Sequence, residues 1–173
     1  MLEGAILIMR QQVYSLLVYN NPGVLSRIAG LFSRRGYSID SITAGVTANT
    51  KYTRITVVST GDEQILEQIE KQVRKLEDVR VITLLKHGES VSRELIMVKI
   101  AVNPTQRAEV ISLTDIFRAN VVDVGVDSMI IELTGNQSKL DGFLNLLAGY
   151  EVLEIARTGI TALSRGVKDA LVE

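Results

Sequence analysis

The same order of strands and helices occurs twice along this chain, and that repetition limits its possible folds more than any other feature. Hydrophobic residues follow the order strand, helix, strand, strand, helix, strand before residue 86, and the order returns after it. Thr60-Gly61-Asp62 and Thr134-Gly135-Asn136 precede corresponding helices in the two halves. A βαββαβ order gives a four-stranded antiparallel sheet with both helices on one face. The sequence therefore predicts an α+β protein with two tandem ferredoxin-like βαββαβ domains.

The helices of the first half carry start and stop signals. Asn20 or Asn21 would cap a helix that begins near Pro22, and Gly36 supplies a left-handed residue to end it. Asp62 is the expected cap of the second helix. The predicted strands of this half are Tyr14–Tyr19, Ile39–Val46, Thr53–Ser59 and Val79–Leu84.

The second half predicts a matching set of elements. They are a strand at Leu95–Val102, a helix at Pro104–Phe117, a hairpin of Val121–Val126 and Met129–Leu133, a helix at Gln137–Leu147 and a strand at Val152–Thr158. We expect an N-terminal extension at 1–12, a first domain at 13–86 and a second at 87–173. The sheet face opposite the helices is apolar at alternate positions, so we expect it to be bare and to need a cover or a partner.

Composition argues against several classes of function. The formal net charge is −1, so no overall field attracts nucleic acid or a membrane surface, and we expect neither as a partner. The chain has no cysteine, which excludes disulfides and thiolate catalysis. The apolar run at 4–9 is too short to cross a bilayer and lacks a preceding basic segment, so a cytoplasmic location is expected.

Residues that could catalyse a reaction or hold a metal are sparse. His87 is the only histidine, and it lies in the polar junction between the halves, where a solvated linker residue is the simpler interpretation. Asp123 and Asp127 flank the predicted hairpin turn, where aspartate is common. The sequence has no cluster at metal-ligand spacing and no glycine-rich phosphate loop. We therefore expect no catalytic residue, metal or cofactor in this chain.

The turn Asn20–Gly23 is the best candidate for a binding site. Amide groups at the start of the following helix point outward and favour a carboxylate. Gly23 has no β-carbon, so a ligand could approach the backbone, while Val24 and Leu25 would add apolar surface. These features suit an α-amino acid with a small aliphatic side chain. An ordinary helix start with an asparagine cap and an early proline explains the same residues.

The second copy provides an internal comparison. Its equivalent turn is Asn103-Pro104-Thr105-Gln106-Arg107, which retains the capping asparagine but has no glycine. This difference suggests that the first copy binds a ligand and that the second is structural or contacts a partner.

Several segments resemble a known family. The segment VYNNPGVLSRIAGLFSRRGYSI resembles the amino-acid-binding signature of ACT domains, and more narrowly that of the small regulatory subunits of acetolactate synthase. The stretches LEQIEKQVRKLEDV, Arg93-Glu94-Leu95 and RTGITALSRG at 157–166 resemble the same family. The resemblance covers about Val13 to Gly166, nearly the whole chain.

The resemblance implies a non-catalytic subunit in branched-chain amino acid biosynthesis. Such subunits activate a separate catalytic subunit, which carries thiamine diphosphate, Mg and FAD, and they confer feedback inhibition, usually by valine. The implied site lies between two paired ACT domains of a homodimer. Its residues are Asn20, Asn21, Pro22, Gly23, Val24 and Leu25 of one chain, with Ser38 and Ile39 of the other.

One position departs from the family pattern, because many members have asparagine where this chain has Ser38. Serine is shorter, so a contact with the ligand's ammonium group could become water-mediated. Valine is favoured over leucine or isoleucine by the resemblance only, since one methylene discriminates weakly. Two alternatives stay open: a free-standing amino-acid sensor for another target, such as a transcription factor, and a small ferredoxin-like enzyme.

Overall fold

The computed structural model describes residues 8–167 and contains the predicted elements in the predicted order, with one additional strand. In the first half they are β1 Arg10–Tyr19, α1 Val24–Arg35, β2 Ser41–Val46, β3 Tyr52–Gly61, α2 Glu63–Val73 and β4 Val79–Leu85. In the second they are β5 Ser90–Ala101, α3 Arg107–Phe117, β6 Asn120–Val124, β7 Ser128–Gly135, α4 Gln137–Leu146, a 3₁₀ turn at Leu147–Gly149, β8 Glu151–Arg157 and β9 Thr161–Ser164.

These elements form two compact units. Within the described residues, the first unit contains 8–91 together with 160–167, and the second contains 92–159. Residues 160–167, which the sequence analysis placed in the second domain, therefore group with the first unit. Part of the expected N-terminal extension belongs to β1, which begins at Arg10, and residues 1–7 lie outside the described residues.

The first unit has the predicted ferredoxin-like arrangement. Its sheet order is β2-β3-β1-β4, and each pair of neighbouring strands is antiparallel. Alternate residues of the strands pack against α1 and α2 because side chains in a strand point to opposite faces in turn. The most deeply buried residues of this core are Tyr14, Leu16, Val18, Ile28, Phe32, Ile55, Val57, Leu66, Ile69 and Val73.

Two of the predicted helix boundaries are confirmed. Gly36 ends α1 in the left-handed conformation with φ 66°. Asp62 caps α2, because its Oδ1 accepts a 2.8 Å hydrogen bond from the N–H of Ile65. The predicted asparagine cap of α1 is wrong, since the N-cap position belongs to Gly23 and no side chain bonds to the helix start there.

In the first unit the sheet face opposite the helices is not bare, and it has part of the cover that the sequence analysis expected it to need. Leu17 and Val58 point away from the helices, yet each is at most 1% exposed. The additional strand β9 contacts β1 and β4. The Thr43 hydroxyl donates a 3.1 Å hydrogen bond to the carbonyl oxygen of Ile160, which ties the start of this segment to β2. The C-terminal segment thus supplies part of the cover that the sequence analysis left unassigned.

The second unit repeats the topology, with strand order β6-β7-β5-β8 and antiparallel neighbours. Helix α3 begins at Arg107, later than the predicted Pro104, because Asn103 organises the preceding residues into a turn. The predicted hairpin is confirmed, with Gly125–Asp127 between its strands. Its core contains Ile96, Val98, Ile100, Val110, Met129, Ile131, Leu133, Leu140 and Phe143.

Candidate functional site

The turn between β1 and α1 is built around Gly23. This residue has φ 80° and ψ 2°, in the left-handed region where a β-carbon is disfavoured, and it is the N-cap residue of α1. Its carbonyl oxygen accepts a 3.0 Å hydrogen bond from the N–H of Arg27, which starts the helical ladder. The backbone conformation at this position therefore favours glycine.

Neither asparagine of the turn caps the helix, because both side chains bond elsewhere. Asn20 donates from Nδ2 to the carbonyl oxygen of Thr50 at 3.2 Å and accepts at Oδ1 from the Thr53 hydroxyl at 3.1 Å. Asn21 donates from Nδ2 to Oδ1 of Asp78 at 3.1 Å. Asn20 thus fastens the end of β1 to the β2–β3 hairpin. Within the described part of the chain, one amide hydrogen and one lone pair of its carboxamide have no partner.

The start of α1 is consequently open. Among residues 8–167, the backbone N–H groups of Gly23, Leu25 and Ser26 make no hydrogen bond to a protein acceptor. The N–H of Val24 bonds to the carbonyl oxygen of Asn21 at 3.3 Å. Unpaired amide groups at a helix N-terminus, where the helix dipole is positive, favour an anionic group such as a carboxylate.

An ion pair that the sequence analysis missed borders this opening. Nε of Arg27 lies 2.5 Å from Oδ2 of Asp78. The Asp78 side chain is only 12% exposed, whereas that of Arg27 is 47% exposed. Hydrogen bonds from Arg27 and then Asn21 hold the pKa of the Asp78 carboxyl below its usual value. The same pairing raises the pKa of the Arg27 guanidinium.

The two apolar residues of the predicted site have different environments. Val24 is buried in the core of the first unit. Leu25 is 45% exposed and adjoins the open start of the helix. The sequence analysis assigned apolar surface to Val24 and Leu25. Of the two, only Leu25 is exposed beside the turn.

Ser38 and Ile39 lie near the opposite end of the sheet from Gly23. Tyr19, at the end of β1, pairs with Tyr52, whereas Ser41 pairs with Val58 further along β3. At about 3.4 Å per strand residue, these positions are about 20 Å apart. Ser38 donates to Oδ1 of Asp40 at 3.0 Å. One chain therefore does not bring the two predicted parts of the site together.

The corresponding turn of the second unit has a different set of hydrogen bonds. Oδ1 of Asn103 accepts hydrogen bonds from the N–H groups of Thr105 and Gln106, each at 3.0 Å. Thr105 also donates its hydroxyl to the same atom at 2.6 Å. Asn103 therefore organises the turn but does not cap the helix, because the N-cap residue of α3 is Gln106 and no side chain bonds to the helix start.

The sequence analysis also considered His87 and possible metal ligands. His87 is exposed in a turn that precedes β5. Among residues 8–167, no group of three or more histidine, cysteine, aspartate or glutamate side chains is placed to hold a metal ion. None of the helices in that range is long and apolar enough to span a membrane.

Comparisons with protein families match both units. The family model described as an AHAS small subunit-like ACT domain matches residues 14–81. The family model described as the small subunit of acetolactate synthase matches residues 93–166. The two matches together span most of the chain.

Individual relatives agree with these matches. The chain is 43% identical to the acetolactate synthase small subunit of Mycobacterium bovis, over 88% of this chain and 90% of that protein. It is 42% identical to the isozyme 3 small subunit of Escherichia coli, over 91% of this chain and 98% of that protein. It superposes on the crystal structure of the small subunit from Thermotoga maritima with TM-score 0.84 and 40% identity, covering 91% and 99% of the two chains.

Proposed function

The chain belongs to the family of acetolactate synthase small subunits, and from that premise we propose that it activates a separate catalytic subunit and makes it sensitive to valine. In this proposal the chemistry belongs to the catalytic chain, with its thiamine diphosphate, Mg and FAD. The present chain binds the end product and changes the activity of its partner. A cytoplasmic location is part of the same proposal.

The open start of α1 is the observation that carries the ligand assignment. Gly23, Leu25 and Ser26 each present an unpaired backbone N–H group. A carboxylate placed there would accept several of these bonds, and Leu25 would contact an aliphatic side chain. The carboxamide of Asn20 retains one donor and one acceptor for the polar groups of the ligand. An aliphatic α-amino acid matches this set of groups.

We assign the ammonium end of the ligand to a second chain. Ser38 and Ile39 lie at the far end of the sheet from Gly23, so they can complete the site only if another copy supplies them. A two-fold axis between paired first units would create two equivalent sites, because such an interface presents each contact twice. Asn20, Asn21, Pro22, Gly23, Val24 and Leu25 then come from one chain, with Ser38 and Ile39 from its partner.

Feedback follows if valine binds one arrangement of the pair more tightly than the other. A ligand with equal affinity for both arrangements would not shift the equilibrium. Coupling energies between sites are typically about 1–3 kcal/mol, which corresponds to a change of about 5- to 150-fold. Closure of the paired first units around valine would favour the less active form of the complex.

The proposal is tested by reconstituting the complex. The catalytic subunit alone, and then with the full-length chain, is assayed for acetolactate formation from pyruvate with and without L-valine. We expect the chain to raise the rate and valine to lower it only when the chain is present. Calorimetry on the chain alone should show valine binding. A chain that leaves the rate and its valine response unchanged would contradict the proposal.

A further inference from the structure

The guanidinium group of Arg27 lies beside Gly23 at the open start of α1. A β-carbon built on Gly23 would lie 3.2 Å from Nη1 of Arg27, so the guanidinium fills the space beside this glycine. Any ligand group that reaches the unpaired N–H groups of Gly23 and Leu25 therefore meets this cation at close range. A negatively charged group would be favoured at that position, and a positively charged one would be disfavoured.

The way in which Arg27 is held leaves one of its nitrogens available. Nε bonds to Asp78, and Nη2 lies 3.4 Å from the carbonyl oxygen of Pro22. Within residues 8–167, no hydrogen bond uses Nη1, the nitrogen next to Gly23. Asp78 is itself fixed by Nδ2 of Asn21 at 3.1 Å. The carboxylate of Asp78 is therefore held by Asn21 and Arg27, and the guanidinium of Arg27 is directed toward the start of the helix.

The second unit lacks this arrangement. Counting back from the matching helix ends, Leu31-Phe32 and Ile116-Phe117, Ser112 occupies the position of Arg27. Its hydroxyl donates to the carbonyl oxygen of Ala108 at 3.0 Å, within its own helix. The guanidinium that adjoins the turn of the second unit belongs to Arg107, and it bonds to the carbonyl oxygens of Gly125 and Val126 instead of lying beside a glycine.

From this geometry we infer that Arg27 is the side chain that selects for a carboxylate in the ligand, and that Asp78 positions it. This inference rests on the proposed function, because it assigns a role within the same site. Nη1 would donate to one carboxylate oxygen while the backbone N–H groups donate to the other. Hydrogen bonds of this charge-assisted kind are about twice as strong as neutral ones.

The experiment compares L-valine with L-valinamide, which lacks the carboxylate, by calorimetry on the full-length chain. Arg27→Gln should weaken valine binding about tenfold and change valinamide binding less than about twofold, since only the carboxylate contact is lost. Arg27→Lys, which keeps the charge, should recover part of the preference for valine. Asp78→Asn should lower that preference about threefold, because Arg27 loses its anchor.

Arg35→Gln is the matched control. It makes the same substitution at the other end of α1, where Arg35 bonds to Oε1 of Gln72, and should leave both affinities unchanged. If Arg27→Gln keeps the wild-type ratio of the two affinities, the role of Arg27 is refuted while the site can stand. If the wild-type chain binds neither valine, leucine nor isoleucine, the proposed function fails and this inference fails with it.

Discussion

Arg157 donates two hydrogen bonds to the carboxylate of Glu94, from Nε to Oε1 at 2.9 Å and from Nη2 to Oε2 at 2.8 Å. The Glu94 side chain is only 8% exposed, so its charge depends on this partner. Replacing Arg157 with methionine would leave a buried carboxylate unpaired. We expect a loss of about 2–3 kcal/mol in the free energy of unfolding, measured by urea denaturation at neutral pH.

Lys99→Met is the control for this prediction. Lys99 bonds to Glu154 at 2.7 Å on the neighbouring strand, but the Glu154 side chain is 71% exposed. Solvent screens that pair, so its removal should cost clearly less than the removal of Arg157. Equal losses for the two variants would show that burial of Glu94 does not set the strength of its pairing.

The buried hydroxyl of Tyr14 should make the first unit sensitive to alkaline pH. It donates a 2.9 Å hydrogen bond to the carbonyl oxygen of Leu66, between β1 and α2. Burial, followed by the charge of Glu70, raises the pKa of Tyr14 above its ordinary value of about 10. The folded chain therefore keeps this proton at a pH where the unfolded chain releases it, and the stability decreases as pH rises above about 10.

Tyr14→Phe separates this effect from that of the other tyrosines. At neutral pH the variant should be about 1 kcal/mol less stable, because the hydrogen bond from the Tyr14 hydroxyl to Leu66 is lost. Above about pH 10 the difference from the wild type should shrink, since the variant has no hydroxyl to ionise. The check is the melting temperature of both chains between pH 7 and 11. A constant difference across that range would contradict the prediction.

A negative charge at position 23 should abolish the response to valine. In Gly23→Asp the new carboxylate would lie beside Nη1 of Arg27 and compete with the carboxylate of the ligand. We expect calorimetry to show valine affinity at least about tenfold lower than in Gly23→Asn, which has similar bulk and also tolerates the left-handed conformation. Activation of the catalytic subunit should persist in both variants. Equal affinities would mean that charge at this position has no effect.

A mixing experiment tests whether each site contains two chains. Gly23→Asp damages the turn, and Ser38→Lys places a like charge where the ligand's ammonium group is proposed to lie. Each variant alone should bind almost no valine. After subunit exchange of an equal mixture, half of the dimers carry one intact site, so about a quarter of the wild-type binding capacity should return. No recovery would indicate that each site is built within a single chain.

Most of the fold could be predicted because it depends on periodic patterns. Alternating strands, amphipathic helices and capping residues such as Asp62 are local features, and they agree with one another in both halves. The strand β9 could not be predicted in this way. It is short, and its burial depends on contacts with β1 and β4, which are distant in sequence.

The candidate site could be predicted only in part. The turn and its glycine are visible as a local motif, but the partners of its side chains are not. Asn20 bonds to Thr50 and Thr53, and Arg27 bonds to Asp78, so each contact joins residues far apart along the chain. A basic residue one helical turn after Gly23 was the available signal for Arg27, although such residues are common on exposed helix faces.

The position of β9 in the first unit has a consequence for folding during translation. The ribosome makes residues 92–159 before it reaches Thr161–Ser164, so β9, which contacts β1 and β4, is translated after the whole of the second unit. A nascent chain paused before that point would expose apolar surface on an otherwise assembled sheet. The first unit thus completes its folding only after the second unit has been translated, which departs from the usual N-terminal-first order.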